Sequence, residues 1–275
     1  FQPVENGSSL SLGKRSLTFL ETRMLHWPDS MFSYCPEEKL LFSSDAFGQH
    51  YAGLELFDDQ IGEKVWPHAL KYYANILNPF SALVLKVLDK VRELGLELET
   101  ICPDHGVIWR RDPGRIIEAY ARWARQAPTR KAVIVYDTMW HSTETMAEAL
   151  AEALGREGVY VRLMHLRSCH RSDVITELHE AGAILVGSPT LNNQMFPTVA
   201  DFLCYMKGLK PQNKVAAAFG SHGWSGEAVK LIYQELAACK FDLIEPGVKA
   251  IFVPGGEVFE ACHDLGRRVA EALPR

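Results

Sequence analysis

The feature that most limits the fold is an alternation of apolar runs and amphipathic stretches that begins at Ala132 and continues to Leu273. Such runs are typical of buried parallel strands, and the stretches between them have helical spacing. The predicted strands are Ala132–Tyr136, Val159–Met164, Ile184–Val186, Val215–Phe219 and Val248–Val253. The predicted helices are Ser142–Leu154, Val174–Ala181, Val199–Lys207, Val229–Ala238 and Phe259–Leu273. This alternation predicts an α/β domain with a doubly wound five-stranded parallel sheet, whose ligands lie at the carboxyl ends of the strands.

A different pattern precedes a boundary at Gln126–Arg130, and it indicates helices outside a sheet. The predicted elements there are strands at Ser16–Glu21, Leu40–Ser44 and Glu99–Cys102, a turn at Pro36–Lys39, and helices at Ala69–Ile76, Ser81–Leu94 and Ile116–Trp123. We therefore expect two domains, residues 1–126 and 131–275. The chain starts at Phe1 without methionine, which leads us to expect additional sequence upstream.

Composition excludes several classes of function. The formal net charge is −5 and the basic residues are scattered, so nucleic acid is not an expected partner. The cysteines form no C-x-x-C pair and are expected to be reduced thiols. They are Cys35, Cys102, Cys169, Cys204, Cys239 and Cys262. No apolar run is long enough to cross a bilayer and no signal peptide is evident, so no membrane partner and a cytoplasmic location are expected.

Hydroxyl-bearing side chains follow the first strand of the second domain and open a long helix. A strand-to-helix turn points backbone N–H groups at a ligand, and the helix dipole favours an anion. A phosphomonoester could be held here by hydrogen bonds alone. The alternative is an ordinary N-cap with a capping box. The candidate binding residues are Thr138, Met139, Trp140, His141, Ser142 and Thr143.

Two further loops follow the third and fourth strands and are expected at the same sheet edge. The candidates in the first of them are Ser188, Pro189, Thr190, Leu191, Asn192 and Asn193. Those in the second are Ser221, His222, Gly223, Trp224, Ser225 and Gly226. Glycines allow close approach to a flat ring, and Trp140 and Trp224 are candidates for stacking on it, with core packing as the alternative. The three loops resemble those of flavodoxins, which implies bound FMN. The missing G-x-G-x-x-G argues against a dinucleotide site.

Three potential metal ligands stand at the ends of β segments in the first domain: His26, Asp45 and His105. Imidazole and carboxylate suit zinc, iron or manganese, and a carboxylate can bridge two ions. Taken singly, each histidine could be a surface residue and the aspartate a turn former. Their order and contexts resemble the downstream half of the metallo-β-lactamase ligand series. This implies the C-terminal part of an αββα metallo-β-lactamase-like domain.

The phrases M-L-H-W-P-D-S-M, S-S-D-A-F-G-Q, C-P-D-H-G-V-I and Y-D-T-M-W-H-S-T-E together resemble the flavodiiron proteins, also called A-type flavoproteins. The resemblance implies that His26 binds one iron, that Asp45 bridges both, and that His105 binds the other. It also implies that these three residues are the catalytic ones. The family's H-x-E-x-D-H segment does not occur in the sequence. We therefore expect an N-terminally truncated chain with an incomplete metal site.

The resemblance implies a reductase that takes electrons from rubredoxin or a similar donor through FMN into a di-iron site. Dioxygen is then reduced to water, nitric oxide to nitrous oxide, or both, and the family implies a head-to-tail homodimer. One alternative is a flavodoxin-like electron-transfer module with a non-catalytic remnant domain. The other is a metallo-β-lactamase-type hydrolase. Ordinary polar roles are expected for His50, His68 and His222.

Overall fold

The chain divides into two units in the computed structural model, Phe1–Arg125 and Gln126–Arg275. Residues 3–274 are described. Among these residues, every helix is too short or too polar to span a lipid bilayer. Each unit buries its own hydrophobic core, so each is treated by itself.

The first unit contains a five-stranded sheet in which the strands follow one another in chain order. Its strands are β1 (Ser9–Ser11), β2 (Ser16–Glu21), β3 (Met31–Cys35), β4 (Leu40–Phe42) and β5 (Thr100–Cys102). The first four are antiparallel to their neighbours, whereas β4 and β5 are parallel. The predicted turn is a 3₁₀ turn, Pro36–Glu38, that ends at Lys39 in the left-handed region with φ 48°. The predicted strand at Leu40–Ser44 ends earlier, at Phe42.

Four helices accompany this sheet: α1 (Asp58–Ile61), α2 (Val65–Tyr72), α3 (Ser81–Glu93) and α4 (Pro113–Arg125). Short 3₁₀ turns occupy Gly62–Lys64 and Asn78–Phe80, and a π-helical turn, Tyr73–Leu77, continues α2. Pro113 starts α4, where its missing N–H costs no helical hydrogen bond. The core lies between α2–α4 and the strands, and Tyr73, Trp109 and Tyr120 are almost completely buried in it.

The second unit is a parallel sheet with the spatial order second, first, third, fourth and fifth strand. This is the flavodoxin-like order. Its strands are β6 (Thr129–Tyr136), β7 (Tyr160–His165), β8 (Ala181–Gly187), β11 (Val215–His222), β12 (Asp242–Leu243) and β13 (Val248–Ile251), and a separate hairpin is formed by β9 (Thr190–Leu191) and β10 (Gln194–Met195).

The sheet has six strands rather than the predicted five, because the fifth strand position is divided. Both β12 and β13 pair with β11, the first near Val215 and the second near Phe219. Pro246 lies between them and has no N–H to continue the ladder. The division leaves the end of β13 beside the end of β11, where the third loop begins.

Five helices cover this sheet: α5 (Ser142–Arg156), α6 (Arg171–Glu180), α7 (Pro197–Leu209), α8 (Ala228–Ala238) and α9 (Gly256–Ala272). Alternate residues of β6, Ala132, Ile134 and Tyr136, pack in one core cluster with residues of α5 and α9. The predicted helix Val174–Ala181 ends one residue sooner, because Ala181 begins β8. Parallel strands direct the loops after β6, β8 and β11 to one edge of the sheet.

Candidate flavin and metal sites

A cavity of about 880 Å³ lies at the carboxyl edge of the second unit's sheet. All three predicted loops contribute to its wall. The predicted residues that line it are Met139, Trp140, Ser142, Pro189, Thr190, Leu191, Asn192, Asn193, Ser221, His222, Gly223, Trp224 and Ser225. The predicted residues outside this lining are Thr138, His141, Thr143, Ser188 and Gly226. The wall is mostly apolar with a few polar groups, as suits a flat aromatic ligand.

A fourth segment also lines the cavity, and it was not among the predicted binding residues. It consists of Phe252 and Val253, which follow β13. The Phe252 N–H donates to the His222 carbonyl oxygen over 2.8 Å. Both side chains are largely exposed. The sequence predicts a strand at residues 248–253. Because ligands of such sheets bind at the carboxyl ends of the strands, the end of this strand could have been added to the predicted site.

The turn between β6 and α5 leaves the first amides of the helix available for an anion. His141, the N-cap residue, is in the left-handed region with φ 67°, and its side chain does not cap the helix. Its Nδ1 lies 2.6 Å from Glu144 Oε2 instead. The capping-box interpretation is therefore wrong. The helix N-terminus faces the loop with unsatisfied N–H groups and a favourable dipole.

Buried hydroxyl groups lie beneath this turn. Thr138 is 6% exposed, and its Oγ1 has no hydrogen-bond partner among residues 3–274. A buried hydroxyl without a partner is costly, so the site fits a ligand that supplies an acceptor. Thr143 is fully buried, and its Oγ1 lies 2.9 Å from Ser221 Oγ in the third loop. The phosphate group of FMN fits these groups.

The second loop is a β-hairpin, an element that was not predicted from the sequence. Asn192 and Asn193 occupy its turn with φ 50° and 59°. Two successive left-handed residues define a type I′ turn, for which asparagine is well suited. The Thr190 hydroxyl accepts a hydrogen bond from the Ala228 N–H over 3.2 Å, which fixes the hairpin against the start of α8. Ser188 is buried and accepts from the Phe196 N–H, so it holds the backbone.

The third loop folds around the imidazole of His222. A side chain at Gly226 would begin 2.6 Å from the His222 ring, and φ there is 70°. Glycine is required at that position for both reasons. Trp140 and Trp224 are 82% and 93% exposed on the cavity wall. Core packing is therefore the wrong interpretation for both tryptophans, and their faces are available to a ligand.

Asp137 lies beside the flavin cavity and was not among the predicted site residues. It is fully buried at the end of β6. Burial raises its pKa, but the hydrogen bonds from Thr198, from the Thr138 N–H and from His165 outweigh this effect and hold the pKa below its usual value. Asp137 is therefore an ionised acceptor beneath the first loop.

In the first unit the three predicted ligands meet. His26 Nε2 lies 3.3 Å from Asp45 Oδ2, and His105 Nε2 lies 3.1 Å from Asp45 Oδ1. The Asp45 side chain is 6% exposed, whereas His26 and His105 are 28% and 50% exposed. Asp45 and His105 line a cavity of about 460 Å³ together with Asp29, Asp104 and other residues. Each imidazole thus faces a different oxygen of one carboxylate.

Buried hydrogen bonds hold the turn that carries Asp45. The Ser43 hydroxyl donates to the Ala46 carbonyl oxygen over 2.7 Å. The Phe47 N–H donates to Tyr120 Oη over 2.7 Å, and the Phe47 carbonyl oxygen accepts from Trp109 Nε1 over 2.8 Å. Phe47 itself is left-handed with φ 67°. These contacts to the core fix the position of the carboxylate.

His105 is held by Gln49, which is completely buried. The Gln49 N–H donates to the His105 carbonyl oxygen over 3.1 Å, and Gln49 Oε1 accepts from the Val107 N–H over 2.8 Å. The Tyr72 ring is also near His105, with 6.3 Å between the two ring centres. Burial and the nearby Asp45 carboxylate raise the pKa of Tyr72, so its phenol stays protonated. Gln49 and Tyr72 have no sequence signal of their own.

The donors fit part of a two-metal site. A carboxylate with one imidazole at each oxygen is the arrangement of a bridging ligand between two ions. In the described part of the chain, no group of three or more histidine, cysteine, aspartate or glutamate side chains is arranged to hold one metal ion. His26, Asp45 and His105 therefore match one bridging ligand and one further ligand per metal. They do not complete the coordination of two irons.

The geometry defines a protein whose first unit carries part of a metal site and whose second unit is an α/β unit suited to a flavin. A flavodoxin family profile matches residues 134–266, and a profile of the ODP family beta lactamases matches residues 1–106. The chain is 54% identical to the nitric oxide reductase of Moorella thermoacetica, over 98% of this chain and 68% of that protein. It is 48% identical to the rubredoxin-oxygen oxidoreductase of Megalodesulfovibrio gigas, over 99% of this chain and 68% of that protein.

Solved structures agree. The structure of rubredoxin oxygen:oxidoreductase from Desulfovibrio gigas has a TM-score of 0.97 at 47% identity, and the match covers 98% of this chain and 68% of that one. The flavodiiron protein from Giardia intestinalis has a TM-score of 0.93 at 38% identity, over 98% of this chain and 66% of that one. The chain belongs to the flavodiiron protein family. Its fold is confirmed, and the family implies FMN and a di-iron site as cofactors.

Proposed function

We propose that this chain is an oxidoreductase that passes electrons from rubredoxin or a similar donor through FMN to a di-iron site, where dioxygen is reduced to water, nitric oxide to nitrous oxide, or both. The observation that carries the proposal is the cavity of about 880 Å³ lined by three flavin loops. The relatives named nitric oxide reductase and rubredoxin-oxygen oxidoreductase support the substrates and the donor. These relatives do not favour the two alternatives, an electron-transfer module with a non-catalytic remnant domain and a metallo-β-lactamase-type hydrolase.

Within residues 131–275 the three loops bind different parts of FMN. FMN, when bound, supplies transfer of one or two electrons. Thr138, Ser142 and the first amides of α5 bind its phosphate. The hairpin at Asn192 and the loop that follows β11 bind the ring, with Trp140 and Trp224 offering aromatic faces. The remaining predicted residues, Met139, His141, Thr143, Ser188 and Gly226 among them, shape these loops.

Within residues 1–126 the metal ligands are His26, Asp45 and His105. Two irons, when bound, supply positions at which a diatomic gas can be held and reduced. Asp45 presents one carboxylate oxygen toward each imidazole. Tyr72 keeps its proton at Oη beside this carboxylate, because burial and the carboxylate charge both oppose its ionisation. Gln49 fixes the backbone of His105.

The protein is proposed to act as a head-to-tail homodimer in the cytoplasm. Large apolar side chains surround the flavin cavity and are exposed in the single chain, among them Trp224, Ile251, Phe252 and Val253. A second copy would cover such a surface. All six cysteines are free thiols, which fits a reducing compartment. Nucleic acid and membrane are not proposed as partners.

The first test is the absorbance spectrum of the purified chain, with FMN and iron measured per chain. We expect close to one FMN and well under two irons, because three metal ligands are present. Thr138→Val should lower the FMN content, whereas Thr129→Val, at the exposed start of β6 and away from the three loops, should not. A colourless protein would contradict the flavin site. Two irons per chain would contradict the count of metal ligands. Zinc with thiolesterase turnover would favour the hydrolase instead.

A further inference from the structure

Asp137 occupies an unusual place for a carboxylate, directly beneath the turn assigned to a phosphate. It ends β6, precedes Thr138, and is 0% exposed. A buried carboxylate persists only where donors replace the water it has lost. The groups around it therefore decide what it does.

Donors from separate segments converge on its two oxygens. Oδ1 accepts from the Thr138 N–H over 2.7 Å, and Oδ2 accepts from the Thr198 hydroxyl over 2.5 Å. His165 Nε2 lies 3.3 Å from Oδ1, and Arg167 Nε lies 3.0 Å from the same oxygen. Thr198 belongs to α7, which follows the flavin hairpin, whereas His165 ends β7. One carboxylate therefore ties the first loop to two neighbouring segments.

The negative charge of the Asp137 carboxylate is balanced by a neighbouring arginine. The Arg167 guanidinium pairs with it and also lies 5.3 Å from the centre of the Phe196 ring, which holds the arginine in place. An incoming phosphate group therefore meets a neutral pair rather than a bare anion. Asp137 can then act through geometry, because its bond to the Thr138 N–H fixes the backbone that carries the unpartnered Thr138 hydroxyl.

We propose that Asp137 is a positioning residue that holds the Thr138 turn in its phosphate-binding conformation, and that the site thereby selects FMN over riboflavin. The inference rests on the proposed function, in which this turn binds the flavin phosphate. It adds the residue that prepares the turn and the ligand property that is selected.

The first test replaces the carboxylate with an amide of the same shape, Asp137→Asn, in the full chain after removal of bound flavin. The amide nitrogen cannot accept and the charge that pairs with Arg167 is lost, so the converging donors are held less firmly and the turn is loosened. We expect the Kd for FMN, measured by quenching of flavin fluorescence, to rise about tenfold or more. The Kd for riboflavin should change less than about twofold, because riboflavin has no phosphate to be positioned.

Asp201→Asn is the matched control. It removes an exposed carboxylate of α7 that pairs with Arg171 and does not touch Asp137. Both Kd values should stay unchanged. Equal losses for FMN and riboflavin in Asp137→Asn would show a purely structural role, and unchanged values for both would show no role. Either result overturns the inference.

A milder pair of variants keeps the test informative if Asp137→Asn does not fold. Thr198→Val removes one donor to Asp137, and Thr198→Ser keeps the hydroxyl. We expect weaker FMN binding with unchanged riboflavin binding for valine, and native values for serine. Equal behaviour of the two variants would overturn the inference. If the native chain binds FMN no more tightly than riboflavin, the phosphate turn itself is wrongly assigned, and the inference falls with it.

Discussion

At the scale of single residues, Lys214 shows how burial changes a charge. Its side chain is 1% exposed, and its Nζ donates to the His179 and Ala181 carbonyl oxygens over 3.0 and 2.6 Å. The first carbonyl lies in the last turn of α6, where helical partners are missing, and the second belongs to the first residue of β8. Burial lowers the pKa of Lys214 to about 7. The neutral amine is thus favoured in the folded protein.

This pKa predicts a rise in stability with pH. The folded value lies below the ordinary value of 10.5, so the unfolded chain binds more protons between the two. The cost of burying the Lys214 amine is fully present below pH 7 and is relieved as pH rises toward the ordinary pKa. In urea unfolding, the stability of the native protein relative to Lys214→Met should increase by roughly 1 kcal/mol per pH unit between about pH 7.5 and about pH 9.5.

Lys207→Met provides the control for this experiment. Lys207 pairs with Glu235 at the surface, and the hydrogen bond to that carboxylate raises its pKa, so it does not lose its proton in this range. Its difference from the native protein should be flat with pH. Parallel curves for the native protein and Lys214→Met would contradict the lowered pKa.

Residues with a sequence signal could be predicted, and residues that act from the core could not. His26, Asp45 and His105 stand out because each follows a β segment in a polar context, and the structure brings them together. Gln49 and Tyr72 act through tertiary contacts, and nothing next to them in the sequence announces those partners. Their roles depend on packing that a single sequence does not display.

At the scale of elements, the β9–β10 hairpin makes a prediction of its own. Asn193 is left-handed with φ 59°, a conformation in which a β-branched residue is strained. Asn193→Val should lower the free energy of unfolding of the flavin-free protein by about 1–2 kcal/mol. Asn193→Gly should leave it nearly unchanged, since glycine adopts this conformation freely.

Gln194→Val is the control for the hairpin. Gln194 is exposed and lies in β10, where a β-branched side chain is well tolerated. We expect urea unfolding to show almost no change for this variant. If valine is equally harmful at both positions, the type I′ turn is not the reason.

Periodicity predicted the long elements of the second unit but not the short strands of either unit. In β3 the alternation covers only Met31 to Tyr34, where Phe32 and Tyr34 are buried and Met31 and Ser33 are less so, and it stops at the buried Cys35. The two-residue strand β12 has no periodic signal at all, because pairing with β11 alone defines it. Boundaries such as Ala181 moved because strand pairing overrides helical preference there.

At the scale of the whole molecule, the proposed dimer is testable by mass in solution. Light scattering after size-exclusion chromatography should give twice the chain mass of 30.9 kDa. Phe252→Glu places a charge on the exposed apolar rim of the flavin cavity and should shift the protein toward monomer. Tyr160→Glu alters a similarly exposed aromatic residue on β7 at the opposite edge of the sheet and should not. A monomer that retains full turnover would contradict the dimer.

The hydrogen bond between Thr143 and Ser221 joins the loop at the start of α5 to the loop after β11. A contact of this kind is a route by which a change of conformation at one loop can reach the other, and any coupling along it acts equally in both directions. A ligand that bound both loops would then not be held at its two ends independently.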